Sequence, residues 1–200
     1  ENKQKMEDYP SWAYSKGMNQ DEVYAEQKNG NPYRTPSVLS KPQAKSIAEQ
    51  LNTTENYQEL IANAQGVNPA YLASYDKDLA EANANPVMRS AFVMAVENPV
   101  KYSQHIEYAV AWGKPIKEGE ISKQEALKMA GYDNTSLQAS VASKLNDADI
   151  YELAENESTA IGGAKKRGDI ENTTYGIAGG YLMANRGASM DKAIEFALQP

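Results

Sequence analysis

This 200-residue sequence predicts an all-α fold, and three features make the prediction. Helix-capping residues recur along it, alanine dominates its apolar content, and no stretch alternates polar and apolar residues for long enough to make a strand. Leu, Ile, Val and Phe number only 32 of 200, which alone would raise the question of disorder. The net charge of −7 is modest, and 28 Ala, 13 Tyr and 7 Met add apolar surface, so the composition fits a packed chain. Ala favours helices and lets them approach closely. The expected architecture is about nine or ten short helices in an irregular orthogonal bundle, with an extended N-terminal arm.

Residues 1–40 form that arm. Tyr9-Pro10, Asn29-Gly30-Asn31-Pro32 and Thr35-Pro36 are turn and extended-chain signals, leaving room for at most one short helix near 20–28. Its aromatic residues Trp12, Tyr14, Tyr24 and Tyr33 read as contacts with the body or with a partner. Residues 41–200 read as the helical domain, with a sub-boundary near 114–121.

In the domain, helices are expected over 41–52 and 54–65, the second closed by Gly66. Asn-Pro pairs at Asn68-Pro69, Asn85-Pro86 and Asn98-Pro99 then mark three starts, since Asn caps and Pro suits the first turn. Runs at 3–4 spacing follow: Tyr71, Leu72, Tyr75 and Leu79; Met88, Phe92, Val93 and Val96; Tyr102, Ile106, Ala109 and Val110, ended by Gly113. Ser122 with Glu125 is a capping box whose helix Gly131 closes. Leu137, Val141 and Leu145 make the next stripe, and Asp147 caps a helix through Ile150, Leu153 and Ala154. Thr173 or Thr174 begins another that ends at Gly187, and Ser189 caps the last, with Ala193, Ile194 and Ala197 inward.

Several classes of function are disfavoured. There is no Cys and a single His, His105, which removes thiolate metal sites, disulfides and most triads. His105 shares its run with Tyr102 and Glu107 and reads as a hydrogen-bonded or exposed residue. No metal and no cofactor are expected. The longest apolar run, Ala91 to Val96, is far short of a membrane span. No signal peptide is read, so the expected location is the cytoplasm or a virion.

The stretch from Ile121 to Leu145 has a short helix, a turn at Gly131-Tyr132-Asp133-Asn134 and a second helix from about Thr135, the layout of a helix-turn-helix. Its wording, Glu-Ala-Leu-Lys-Met-Ala-Gly-Tyr and then Ala-Ser-Lys-Leu, resembles the helix-turn-helix of bacteriophage small terminase subunits. That resemblance implies Ser136, Gln138, Ala139 and Ser140 near a major groove and Lys123, Lys128 and Lys144 on phosphates. Charge supports it thinly: residues 114–146 hold five Lys and four acids, a net of +1. The plainer alternative is an ordinary helix pair whose turn needs Gly.

Three further features are candidates. Lys165, Lys166 and Arg167 lie between glycines and could receive a phosphate or an acidic partner, or form a solvated loop. Gly176, Gly180 and Ala184 put small residues on one helix face, for close packing within the fold or between subunits. Glu157-Ser158 followed by Tyr175 to Met183 is similar to the acid and glycine-rich turn of lytic transglycosylases, which makes Glu157 the candidate catalytic acid. Three readings are ranked: a non-enzymatic helical assembly protein of phage-virion type acting on protein partners or itself; a DNA-binding protein of the small-terminase kind; and a cell-wall enzyme.

Overall fold

The computed structural model describes residues 7–147 and 167–199. Among these residues the structure is all-helical, with eleven α-helices, one 3₁₀ turn and no strand. The arm carries α1 (Tyr9–Ser15) and α2 (Gln20–Gly30). The body carries α3 (Lys41–Asn52), α4 (Tyr57–Ala64), the 3₁₀ turn Pro69–Tyr71, α5 (Leu72–Glu81), α6 (Pro86–Glu97) and α7 (Ser103–Gly113). α8 (Lys123–Met129), α9 (Asn134–Asn146), α10 (Arg167–Ala184) and α11 (Met190–Leu198) complete it. The helix expected after Asp147 lies outside the described residues.

Caps set most of these boundaries. Ser40 and Gln43 form a reciprocal box at the start of α3, Asn85 Oδ1 accepts from the Val87 N–H at 2.9 Å, and Ser189 Oγ accepts from the Lys192 N–H at 3.1 Å. Gly66 and Gly187 adopt φ of +85° and +93°, past the ends of α4 and α10.

Four expectations are corrected. The first 40 residues hold two helices rather than at most one: Asp8 caps α1, and Asn19 with Glu22 makes a full capping box for α2. Asn98 starts no helix; its Oδ1 accepts from the Lys101 N–H at 3.1 Å in a turn, and α7 begins at Ser103. Asn68 caps only the 3₁₀ turn that leads into α5. Thr173 and Thr174 lie inside α10, both buried. Thr174 Oγ1 donates back to the Ile170 carbonyl at 2.8 Å, and Thr173 Oγ1 is 2.8 Å from Ser90 Oγ, so each hydroxyl is satisfied without capping anything.

α6 is the centre. Every residue from Val87 to Ala95 is buried, as expected of a helix enclosed on all sides. α3, α4, α5, α7 and α10 pack around it. The tightest pairing is α7 against α10, which run past each other in opposite directions, Trp112 over Gly176 and Gly179 and Tyr108 over Gly180. A Cβ on Gly180 would stand 2.2 Å from the Tyr108 carbonyl oxygen, and one on Gly179 would stand 2.5 Å from the Trp112 ring. Gly113 is similarly placed: its Cβ would meet Met88 Sδ at 2.7 Å, so it serves close approach; it is the last residue of α7, and Lys114, not Gly113, is the C-cap. α11 closes this side, with Ala193, Ile194 and Ala197 buried as the sequence pattern requires.

Helix propensity alone makes Gly→Ala favourable by about 1 kcal/mol. At Gly180 the backbone clash reverses the sign. Gly180→Ala is expected to cost about 3 kcal/mol in urea unfolding, whereas Gly168→Ala, with open space around its Cβ position, is expected to be neutral or slightly stabilising.

Candidate functional site

The pair α8 and α9 is built around its turn. Gly131 has φ of +93°, the Tyr132 N–H donates to the Leu127 carbonyl at 2.9 Å, and the Gly131 N–H donates to the Lys128 carbonyl at 3.0 Å. This closure requires a residue at ease in the left-handed region. Asp133 then caps α9, its Oδ2 accepting from the Ser136 N–H at 3.1 Å and from the Ser136 hydroxyl at 2.6 Å. Those bonds from Ser136, side chain first, hold the Asp133 carboxyl below its ordinary range. Leu127, Tyr132, Leu137, Val141 and Leu145 point inward and are buried. The Tyr132 hydroxyl donates to the Ala188 carbonyl at 2.7 Å and accepts from the Gly187 N–H at 3.0 Å, tying the turn to the α10–α11 link.

The outward face contains only part of the expected DNA-contact set. Lys128, Gln138, Ala139 and Lys144 are exposed. The Ser136 hydroxyl is committed to the Asp133 cap, and Ser140 is half-buried. Lys123 is half-buried too; burial, and then Lys114, hold its ammonium below the ordinary lysine value. Between α9 and α11 runs a groove of about 620 Å³ lined by Lys144 together with Asp147, Asp191 and Glu195. One cation against three carboxylates leaves this edge of α9 at −2, the wrong sign for a phosphate backbone.

The small-residue face is a packing surface inside the fold. Gly176 and Gly180 sit against α6 and α7, Gly179 joins them, and Ala184 is exposed and off the contact. Of the other candidates, Glu157, Lys165 and Lys166 lie outside the described residues, as does the side chain of Arg167. In the arm, the Tyr14 hydroxyl donates to the Val38 carbonyl at 2.6 Å, the Tyr24 ring lies 5.0 Å from that of Tyr71, and Trp12 lies 5.8 Å from Tyr9. Tyr33 is 97 % exposed and packs on nothing among the described residues of the body.

Three buried polar groups have partners inside the fold. Arg89, in the middle of α6, pairs with Asp76 of α5 at 2.9 Å and with Asp169 of α10. Asp78 is 4 % exposed and its Oδ2 accepts from the Val38 and Leu39 N–H groups at 2.9 and 3.0 Å. Burial pushes its carboxyl above the ordinary range, against those N–H bonds, the Ser37 hydroxyl and Lys77. His105 is buried, stacked on Phe196 at 4.3 Å, with Nε2 2.8 Å from the Phe196 carbonyl. The neutral ring therefore donates from Nε2 to that carbonyl. Sequence reasoning found only His105; the signal for the others was a lone Arg inside the apolar run from Val87 to Val96 and an Asp on the inward stripe of α5.

Among the described residues no group of three or more His, Cys, Asp or Glu side chains is placed to hold a metal ion. No helix of the described residues is long and apolar enough to cross a membrane. No family model matches the chain, and neither a curated protein nor a solved structure matches it.

Burial holds the His105 imidazolium below its ordinary 6.5, against a smaller opposing contribution from the Phe196 carbonyl. The unfolded chain therefore binds the proton first as pH falls. The stability this neutral ring contributes is complete above about pH 6.5 and declines below it. A thermal midpoint that falls between neutral pH and the onset of carboxylate titration, and a flattened profile in His105→Gln, are the expected results.

Proposed function

We propose that this chain is a helical assembly protein that acts through protein–protein contacts, of the phage virion or packaging type that the terminase-like stretch suggests, and that it has no chemistry of its own. The arm carries this reading. Two capped helices bearing Tyr9, Trp12, Tyr14 and Tyr24 lie over the body and are joined to it by a segment, residues 31–35, that is exposed throughout. Aromatic residues on a peripheral element suit recognition of a protein surface. Among the described residues, the buried polar groups support the same reading, since Arg89, Asp78 and His105 each have a partner inside the fold.

A second reading, DNA binding through α8 and α9, is favoured by the turn geometry at Gly131 and by exposed Lys128, Gln138 and Lys144. The carboxylates beside Lys144 weigh against it.

One set of measurements separates the two. The assembly reading expects solution mass above that of one chain, falling when residues 1–30 are removed, and no mobility shift of duplex DNA at low salt. Strictly single-chain mass at all concentrations, together with a salt-sensitive shift lost in the double variant Lys128→Glu, Lys144→Glu, would transfer the conclusion to the second reading.

A further inference from the structure

A cleft of about 440 Å³ opens where α1, the segment 34–45 and the end of α5 meet. Its volume lies in the range of sites for small molecules. Part of its lining is apolar: Tyr9 and Pro10 of the arm, with Leu39, Ala44 and Ala82 of the body. Pro10, Leu39 and Ala44 are buried, so this part is set into the fold rather than spread on its surface.

The charged residues of the lining divide by sign. Its four acids are all engaged. Asp8 accepts from the Ser11 N–H at 3.4 Å and from the Lys41 N–H at 3.3 Å. Asp78 accepts from the Val38 and Leu39 N–H groups, Glu81 pairs with Lys77 at 3.5 Å, and Glu7 is not free either. The three cations differ. Among the described residues, none of the Arg34, Lys41 and Lys45 side chains forms an ion pair, and all three residues are exposed. Lys41 and Lys45 are four apart on α3 and so share a face, where like charges repel each other unless an anion lies between them. The N-terminus of α3 does not compete for that anion. Its Lys41 and Gln43 N–H groups are taken by Asp8 and Ser40, and Pro42 has none.

We propose that this cleft binds a small organic carboxylate, its anionic group on Arg34, Lys41 and Lys45 and its apolar body against Pro10, Leu39 and Ala44. Arg34 presents a fork that matches a carboxylate, and the two ammonium groups act as point charges beside it. A carboxylate is favoured over a phosphate dianion, because Asp8 and Asp78 stand on the same lining and a second negative charge would meet them. Such binding goes beyond assembly and does not require it. A molecule held here touches α1 and α3 at once and adds a contact between arm and body.

Hydrocinnamate is the probe, titrated into the full-length chain and followed by amide chemical shifts. Binding is expected with a dissociation constant on the order of 1 mM, as suits a ligand of this size. The shifts should group at residues 8–10, 39–45 and 78–83. Uncharged hydrocinnamide is expected to bind about tenfold more weakly, and so is the acid to the double variant Lys41→Gln, Lys45→Gln, because charge-assisted contacts are lost in both cases. The variant keeps the Lys41 backbone N–H on Asp8, so its helical signal and urea midpoint should match the parent's. Lys192→Gln, on α11, should leave binding unchanged. Equal binding of acid and amide overturns the proposal, as does equal binding of the acid to the parent and the folded double variant. Shifts scattered over the surface, or no binding, overturn it too. The comparison of acid with amide needs no variant and decides the matter if the double variant fails to fold.

Discussion

The close approach of α10 to α7 is the constraint on which the rest of this structure depends. With Leu, Ile, Val and Phe at only 32 of 200 residues, the chain cannot rely on large aliphatic side chains. It uses contact area instead. Gly176, Gly179 and Gly180 let α10 meet Trp112 and the Tyr108 backbone directly, and Gly113 gives the same access to Met88 on α6. Many short van der Waals contacts then do what a few large side chains do elsewhere. Once α7 and α10 are joined, α6 is enclosed between them and α3 to α5, and α9 and α11 have a surface to pack on.

Polar groups in the core fix how these helices sit relative to one another. Arg89 reaches from α6 to Asp76 on α5 and Asp169 on α10, and Ser90 meets Thr173 one position further along α6. A buried ion pair gives little net stability over an apolar substitute, because desolvation offsets attraction. We read its role as selecting register: a slip of α10 along α6 would leave Arg89 and Ser90 without their partners. Asp78 shows the pattern at the arm junction, where its carboxyl group holds the backbone of Val38 and Leu39 just after the exposed segment 31–35.

Much of the fold was legible where local chemistry decides. Ser40, Asn85, Ser122, Asp133 and Ser189 cap helices because a side-chain oxygen satisfies a free N–H whatever the tertiary setting. The failures arise where context competes. Asn98 has the residues of a cap, but Pro99 and Val100 enter a turn that ends α6, so α7 starts four residues late. Thr173 and Thr174 can cap a helix or bond back within one, and burial against Ser90 selects the second. The first arm helix was hidden by Tyr9-Pro10, read as a break although Pro is at home in a first turn; the second was announced by Asn19 and Glu22. At the candidate site, exposure of Lys128 and Lys144 followed from the helical repeat. The carboxylates beside Lys144 did not, because Asp191 and Glu195 come from a helix some fifty residues away in sequence.

The molecule thus has two levels of attachment: a glycine-mediated core of α6, α7 and α10, and an arm held beside a partly open cleft by hydrogen bonds and a few apolar contacts, Ala13, Val23 and the Tyr24 ring on Tyr71. Native-state hydrogen exchange tests that division most directly. The account predicts that amides of α6, α7 and α10 exchange only through global unfolding, with protection matching the full unfolding free energy. Amides of α1 and α2 should exchange through a separate opening of much lower free energy and smaller denaturant dependence. Protection in α1 and α2 equal to that of α6, with the same denaturant dependence, would contradict it.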